Sequence, residues 1–169
     1  MFFGTSFVQI MPIFADIFHS GERGYGLLIS ATGIGSVTGN LFISHFQQSR
    51  RLGLIMLSCA ALAPFALAGF SLVTGTLPNA AGAFWLACFF AVLASAFSSV
   101  FLVSSMTVLQ LKVPDKLRGR VMGIHSITFS MIALGGLASG ALATKFSAPI
   151  AVVIGAVVVL SSVIWVTLR

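Results

Sequence analysis

Charged residues are scarce in this sequence. Of its 169 residues, nine are Lys or Arg and three are Asp or Glu, which together make 7% of the chain. A water-soluble domain carries about 25% charged residues, and a chain with so few would expose extensive apolar surface to water. The three acids and three histidines are scattered. These few scattered side chains are not enough to form a metal, cofactor or catalytic site. We therefore expect no metal, no cofactor and no enzymatic activity.

Cysteine is also rare, since only Cys59 and Cys88 are present and both fall in apolar stretches. Counted at ~1.5 Å per residue from opposite membrane faces, the two residues lie roughly 10 Å apart in depth. A disulfide needs Cα atoms within about 7 Å of each other. We therefore expect both residues to be free thiols that serve as small packing residues.

Apolar residues dominate, at 58% of the chain, and they fall into six stretches. Each stretch is near the ~20 residues that a helix needs to cross the hydrocarbon core of a bilayer. The predicted segments are A (1–18), B (25–46), C (52–73), D (83–111), E (121–143) and F (148–168). The sequence therefore predicts an all-α integral membrane protein, with residues 1–169 forming a single bundle of six transmembrane helices in the lipid bilayer.

The net charge of +6 does not indicate a nucleic-acid partner, because the basic residues lie between apolar segments and not on one polar face. If six helices alternate in direction, seven of the nine basic residues share one membrane side, and only Arg23 and Lys145 occupy the other. The seven are Arg50, Arg51, Lys112, Lys116, Arg118, Arg120 and Arg169. The positive-inside rule then places both termini in the cytoplasm.

Two segments carry the same glycine pattern, which indicates an internal repeat. Gly35 and Gly39 in segment B are each followed, 101 residues later, by Gly136 and Gly140 in segment E. Segments B and E run in opposite directions across the membrane. Residues 1–73 and 83–169 are therefore predicted to be inverted three-helix repeats, an arrangement typical of secondary transporters.

Two stretches resemble a known family. Tyr25 to Gly39 resembles the eighth helix of major facilitator superfamily transporters. Val113 to Gly123 resembles the loop between their tenth and eleventh helices, most closely in the bacterial branch of enterobactin-type exporters. The resemblance covers nearly the whole chain, but only as the C-terminal six-helix half of a twelve-helix protein. One departure is that Arg50 and Arg51 stand in the loop after segment B without the family's Asp, so no gating ion pair is expected there.

The resemblance implies secondary active export of a small, amphipathic molecule by alternating access, in the bacterial inner membrane. The chain begins directly in an apolar segment, so we expect the N-terminal half to be missing. The partner would then be a separate N-terminal six-helix half or a second copy of this chain. An alternative function stays open, namely a non-transporting membrane subunit or a truncated gene fragment.

In the family, segments A and D line the substrate cavity, which suggests five candidate residues. They are Gln9, Asp16, Ser95, Ser98 and Ser99. For each of these residues a role other than substrate contact stays open. Gln9 could instead form an interhelical hydrogen bond, and Asp16 could be a solvated acid at the outer surface. The serines could donate to their own helix backbone. Asn40, close to a helix end, is interpreted as solvated.

Two further sets of residues are predicted from the resemblance. Gly35, Gly39, Gly136 and Gly140 would form the interface with the other half, or else pack within this half. Asp115, Arg118, Gly119 and Arg120 form a cytoplasmic loop motif, with Asp115 near the start of a helix. The basic residues of this motif either set topology and contact lipid headgroups, or pair with acids of the other half.

Overall fold

The computed structural model describes residues 11, 14, 18, 21–45, 52–76, 82–146 and 148–167. Gln9, Asp16 and most of segment A lie outside the described residues, as do Arg50, Arg51 and the side chains of Asp115 and Arg118. The predictions for those residues therefore stay predictions.

Five α-helices make up the described part of the chain. They are α1 (Gly21–Ser44), α2 (Leu52–Thr76), α3 (Ala83–Lys112), α4 (Asp115–Phe146) and α5 (Ala148–Thr167). They correspond to segments B to F, so the all-α fold class is confirmed, and no strand occurs among the described residues. The count of six spans and the inverted repeat stay predictions.

The observed helices are longer than most of the predicted apolar segments. α1 begins at Gly21, where a loop was predicted to Gly24, and α2 continues to Thr76. The largest difference is in α4, which begins at Asp115 and not at residue 121. The predicted loop motif is therefore wrong as a loop, because its residues form the first turns of α4. Hydropathy marks only the length inside hydrocarbon, and a helix can continue past that boundary without an apolar sequence.

The helix α3 is the centre of the bundle, since both α1 and α2 pack along it, while α2 also packs against α5, and α5 against α4. Gly35 lies against Val92 and Gly39 against Ala96, so α1 and α3 run parallel. The Ser71 hydroxyl donates to the Pro149 carbonyl at 2.6 Å, which joins the end of α2 to the start of α5.

These contacts define two ends of the bundle. The basic end contains the end of α1, the start of α2, the end of α3 and the start of α4. The opposite end contains the start of α1, the end of α2, the start of α3, the end of α4 and the start of α5. Helices therefore alternate in direction, as the charge pattern requires.

Small side chains fill the core, and large apolar ones face outward. Ala87 and Ala91 of α3 are fully buried, in one cluster with Phe70 of α2. By contrast, Leu137 is 72% exposed and Phe42 is 68% exposed. Four helices, α1, α2, α3 and α5, are long and apolar enough to cross a membrane. An apolar exterior over a small-residue interior fits a lipid environment, in which outward apolar groups meet acyl chains.

Candidate functional site

The closest contact in the described part of the chain is between α1 and α3. A Cβ placed on Gly35 would collide with the Ser95 hydroxyl and with the Val92 carbonyl group. A Cβ on Gly39 would lie 2.8 Å from the Ala96 carbonyl oxygen and 3.0 Å from the Ala96 Cα. The two helices therefore meet backbone to backbone, which only glycine permits at these positions.

The four glycines predicted at the interface between halves occupy different surroundings. Gly35 and Gly39 face α3 of this same chain, which corresponds to the internal-packing alternative. A Cβ on Gly140, in contrast, would meet nothing within 4 Å among the described residues. Gly136 is half-buried. The interface role stays a prediction, with Gly140 as the member that is open to a partner.

The serine candidates of α3 lie within an arc of about 100° on the helix and differ in their hydrogen-bond partners. The Ser95 hydroxyl donates to the Val92 carbonyl of its own helix at 3.0 Å, next to Gly35. The Ser99 hydroxyl donates to the Asn40 side-chain carbonyl of α1 at 3.0 Å. The hydroxyls of Ser95 and Ser99 are therefore both hydrogen-bonded at the contact between α1 and α3.

Ser98 lies at the edge of this arc farthest from α1. At 100° per residue it is about 60° from Ser95 and about 100° from Ser99, in one row with Leu102 and Ser105, and all three residues of the row are half-buried. The Ser98 hydroxyl has no hydrogen-bond partner among the described residues, whereas the Ser105 hydroxyl donates to the Leu102 carbonyl at 2.8 Å. Ser98 is therefore the predicted serine without a hydrogen-bond partner among the described residues, and its role as a substrate contact stays a prediction.

The burial of the row that contains Ser98 changes along α3. Toward the opposite end the row continues through Ala87, Ala91 and Ala94, which are at most 1% exposed. Toward the basic end it continues through half-buried Ser98, Leu102 and Ser105. We call this row the third face of α3. Its side chains are fully buried toward the opposite end and half-buried toward the basic end.

Two polar features were missed in the sequence. Asn40 is half-buried and accepts a hydrogen bond from Ser99 of α3, a contact that was not predicted. Asn40 directly follows Gly39, which packs closely against α3, and this position in the sequence is the feature that could have indicated the contact. Ser104 is 1% exposed, and its hydroxyl has no partner among the described residues. A lone serine in a run of apolar residues gives no sequence signal of this kind.

The remaining predicted residues lie at the basic end. Gly119 and Arg120 are exposed in the second turn of α4, and a Cβ on Gly119 would meet nothing within 4 Å. The helix start predicted at Asp115 is confirmed, with the Leu117 N–H donating to the Pro114 carbonyl at 2.9 Å. Cys59 and Cys88 are both free thiols, as predicted.

Comparison with known proteins gives one clear match. The family model of the Major Facilitator Superfamily matches residues 1–169, the full length of this sequence. No curated protein and no solved structure matches the chain significantly.

Proposed function

Because the chain belongs to the Major Facilitator Superfamily, a family of membrane transporters, we propose that it forms one six-helix half of a secondary active exporter. The cargo in this proposal is a small, amphipathic molecule, and the mechanism is alternating access against a second six-helix unit. That unit is either an N-terminal half or a second copy of this chain.

The third face of α3 is the observation that carries this proposal. It offers one hydroxyl at Ser98 beside apolar Leu102 and the half-buried ring of Phe101, and no charged side chain occurs in α3 before Lys112. Such a surface favours a largely apolar ligand with a group that can accept or donate a hydrogen bond. Full burial toward one end and partial exposure toward the other support a cavity that opens to one side.

The α1–α3 contact supports the mechanical part of the proposal. Backbone packing at Gly35 and Gly39, together with the Asn40–Ser99 hydrogen bond, joins the two helices along their length. Packed helices of this kind move as a unit, because their interfaces do not deform continuously. Rocking of a whole half against its partner needs such internal rigidity.

The test is dye efflux from liposomes that hold the chain assembled with a second unit, with assembly verified by crosslinking. Ser98→Phe fills the third face and should abolish gradient-driven flux of amphipathic dyes. Ser161→Phe, at an exposed position on α5, is the matched control and should leave flux unchanged. Equal flux from Ser98→Phe and the parent chain would contradict the cavity assignment. Absence of flux in every assembled state would favour the non-transporting subunit.

A further inference from the structure

Basic side chains are concentrated where α3 turns into α4. Lys112 is the last residue of α3, and Lys116 and Arg120 lie one turn apart on α4; all three are exposed. The only acid whose side chain the structure describes is Glu22, at the start of α1 and therefore at the opposite end of the bundle. Asp115, whose side chain lies outside the described residues, stands beside Lys116 in the sequence, and with four basic residues against this one acid, residues 112–120 carry a net charge of +3.

The connection between the two helices is short and well ordered by hydrogen bonds. The Val113 N–H donates to the Leu109 carbonyl at 3.2 Å, and the Leu117 N–H donates to the Pro114 carbonyl at 2.9 Å. Only Val113 and Pro114 separate α3 from α4. The end of α3 and the start of α4 are therefore adjacent, and the three basic residues belong to one short stretch of chain at the basic end.

Helix length places this junction at the depth of lipid headgroups. Trp85, 68% exposed near the start of α3, is suited to one membrane interface. About 20 residues further, near Ser105, α3 reaches the other side of the hydrocarbon, and Lys112 lies roughly 10 Å beyond. Because α4 begins only three residues after Lys112, both Lys116 and Arg120 lie in its first two turns on the same side of the membrane.

The surface beside Arg120 is open and becomes apolar with depth. A Cβ on Gly119 or Gly123 would meet nothing within 4 Å, so the helix surface is flat on that side. Ile124 and Ile127, one to two turns deeper, are 68% and 61% exposed. Positive charge at headgroup depth above exposed aliphatic side chains matches the two chemical parts of a phospholipid.

We propose that Lys112, Lys116 and Arg120 bind the headgroup of an anionic phospholipid in the leaflet at the basic end, with its acyl chains along Ile124 and Ile127. The Arg120 guanidinium can hold two phosphate oxygens at once, and the two lysines add point charges. Each basic residue near an anionic membrane surface contributes about fivefold in affinity. The lipid site requires neither a substrate nor a second half, so its test is independent of the test of the proposed function.

The experiment measures lipid retained by the purified chain in detergent micelles doped with equal amounts of phosphatidylglycerol and phosphatidylcholine, by native mass spectrometry. The parent chain should retain phosphatidylglycerol preferentially. The double variant Lys116→Ala/Arg120→Ala should lose this preference by on the order of twentyfold. Lys145→Ala, an exposed basic residue at the other end of the same helix, is the matched control and should retain the preference.

Equal retention of both lipids by the parent chain would overturn the proposal, as would an equal loss from Lys145→Ala. Complete displacement of phosphatidylglycerol by inorganic phosphate would also overturn it, because the site would then bind free phosphate. If the double variant fails to fold, Lys112→Ala alone should lower the preference about fivefold, and an unchanged preference there would contradict the proposal. Lipid binding without dye flux would sustain this inference while contradicting the proposed function.

Discussion

The helices α1 and α4 both carry glycines four residues apart, yet these glycines meet different surroundings. On α1, a Cβ at Gly35 or Gly39 would clash with the backbone of α3. On α4, a Cβ at Gly119, Gly123 or Gly140 would meet nothing within 4 Å among the described residues. Equal glycine spacing therefore serves an internal contact in one helix and leaves an open surface in the other. The neighbouring helix, and not the spacing, decides which role applies.

The largest effect should follow from filling the closed contact. Gly39→Leu should lower the free energy of unfolding by about 3 kcal/mol or more, because the α1 and α3 backbones must separate. Unfolding of the purified chain by SDS titration measures this. Gly33→Leu, at an exposed position on the same helix where a Cβ meets nothing within 4 Å, should change stability by less than about 0.5 kcal/mol. Equal losses in the two variants would contradict the closed contact.

Filling the open surface of α4 should leave folding intact and impair assembly. Gly140→Leu should weaken association with the second unit about tenfold, or about 1.4 kcal/mol, since the added side chain holds the partner backbone away. Crosslinking yield against chain concentration measures the association. Gly53→Leu, at an exposed position in the first turn of α2, is the control. If the Gly140→Leu chain assembles as well as the Gly53→Leu chain, Gly140 of α4 is not part of the interface.

A smaller effect, of opposite sign, is expected inside α3. Ser104→Ala should raise the free energy of unfolding by up to about 1 kcal/mol, because it removes a buried hydroxyl that has no partner among the described residues. Ser58→Ala, which removes an exposed hydroxyl bonded to its own helix, should be near neutral. Destabilisation by Ser104→Ala of 1 kcal/mol or more would show that the hydroxyl is satisfied in the folded chain.

The smallest effect concerns the hydrogen bond beside the closed contact. A double-mutant cycle with Asn40→Ala and Ser99→Ala should give a coupling energy of about 0.6 kcal/mol, the average for interhelical hydrogen bonds in membranes. The cycle that pairs Ser36→Ala with Ser99→Ala should be additive, because the Ser36 hydroxyl donates to the Gly33 carbonyl in its own helix. Additivity in both cycles would mean that the Asn40–Ser99 bond adds nothing to the contact.

The sequence predicted the positions of the helices along the chain well and the direction of side chains around the helix axis poorly. Hydropathy located segments B to F, because burial in hydrocarbon requires apolar length whatever the packing. Hydropathy alone placed the start of α4 at residue 121, since the first turns of that helix are polar, whereas the Pro114–Asp115 pair correctly indicated a helix start at Asp115. Hydropathy also did not distinguish Ser98, whose hydroxyl has no partner among the described residues, from Ser95 and Ser99, whose hydroxyls are hydrogen-bonded. The three serines lie at similar depth, and only the position of α1 decides which hydroxyls are occupied.

The proposed function requires that this chain supplies one wall of a transport cavity and that it cannot gate alone. The most direct measurement is gradient-driven efflux of amphipathic dyes from liposomes at dilutions where crosslinking shows only monomers. We predict no flux above protein-free liposomes in that state, and flux once a second six-helix unit is assembled with the chain. Robust, saturable, gradient-driven flux from the monomer would contradict the account.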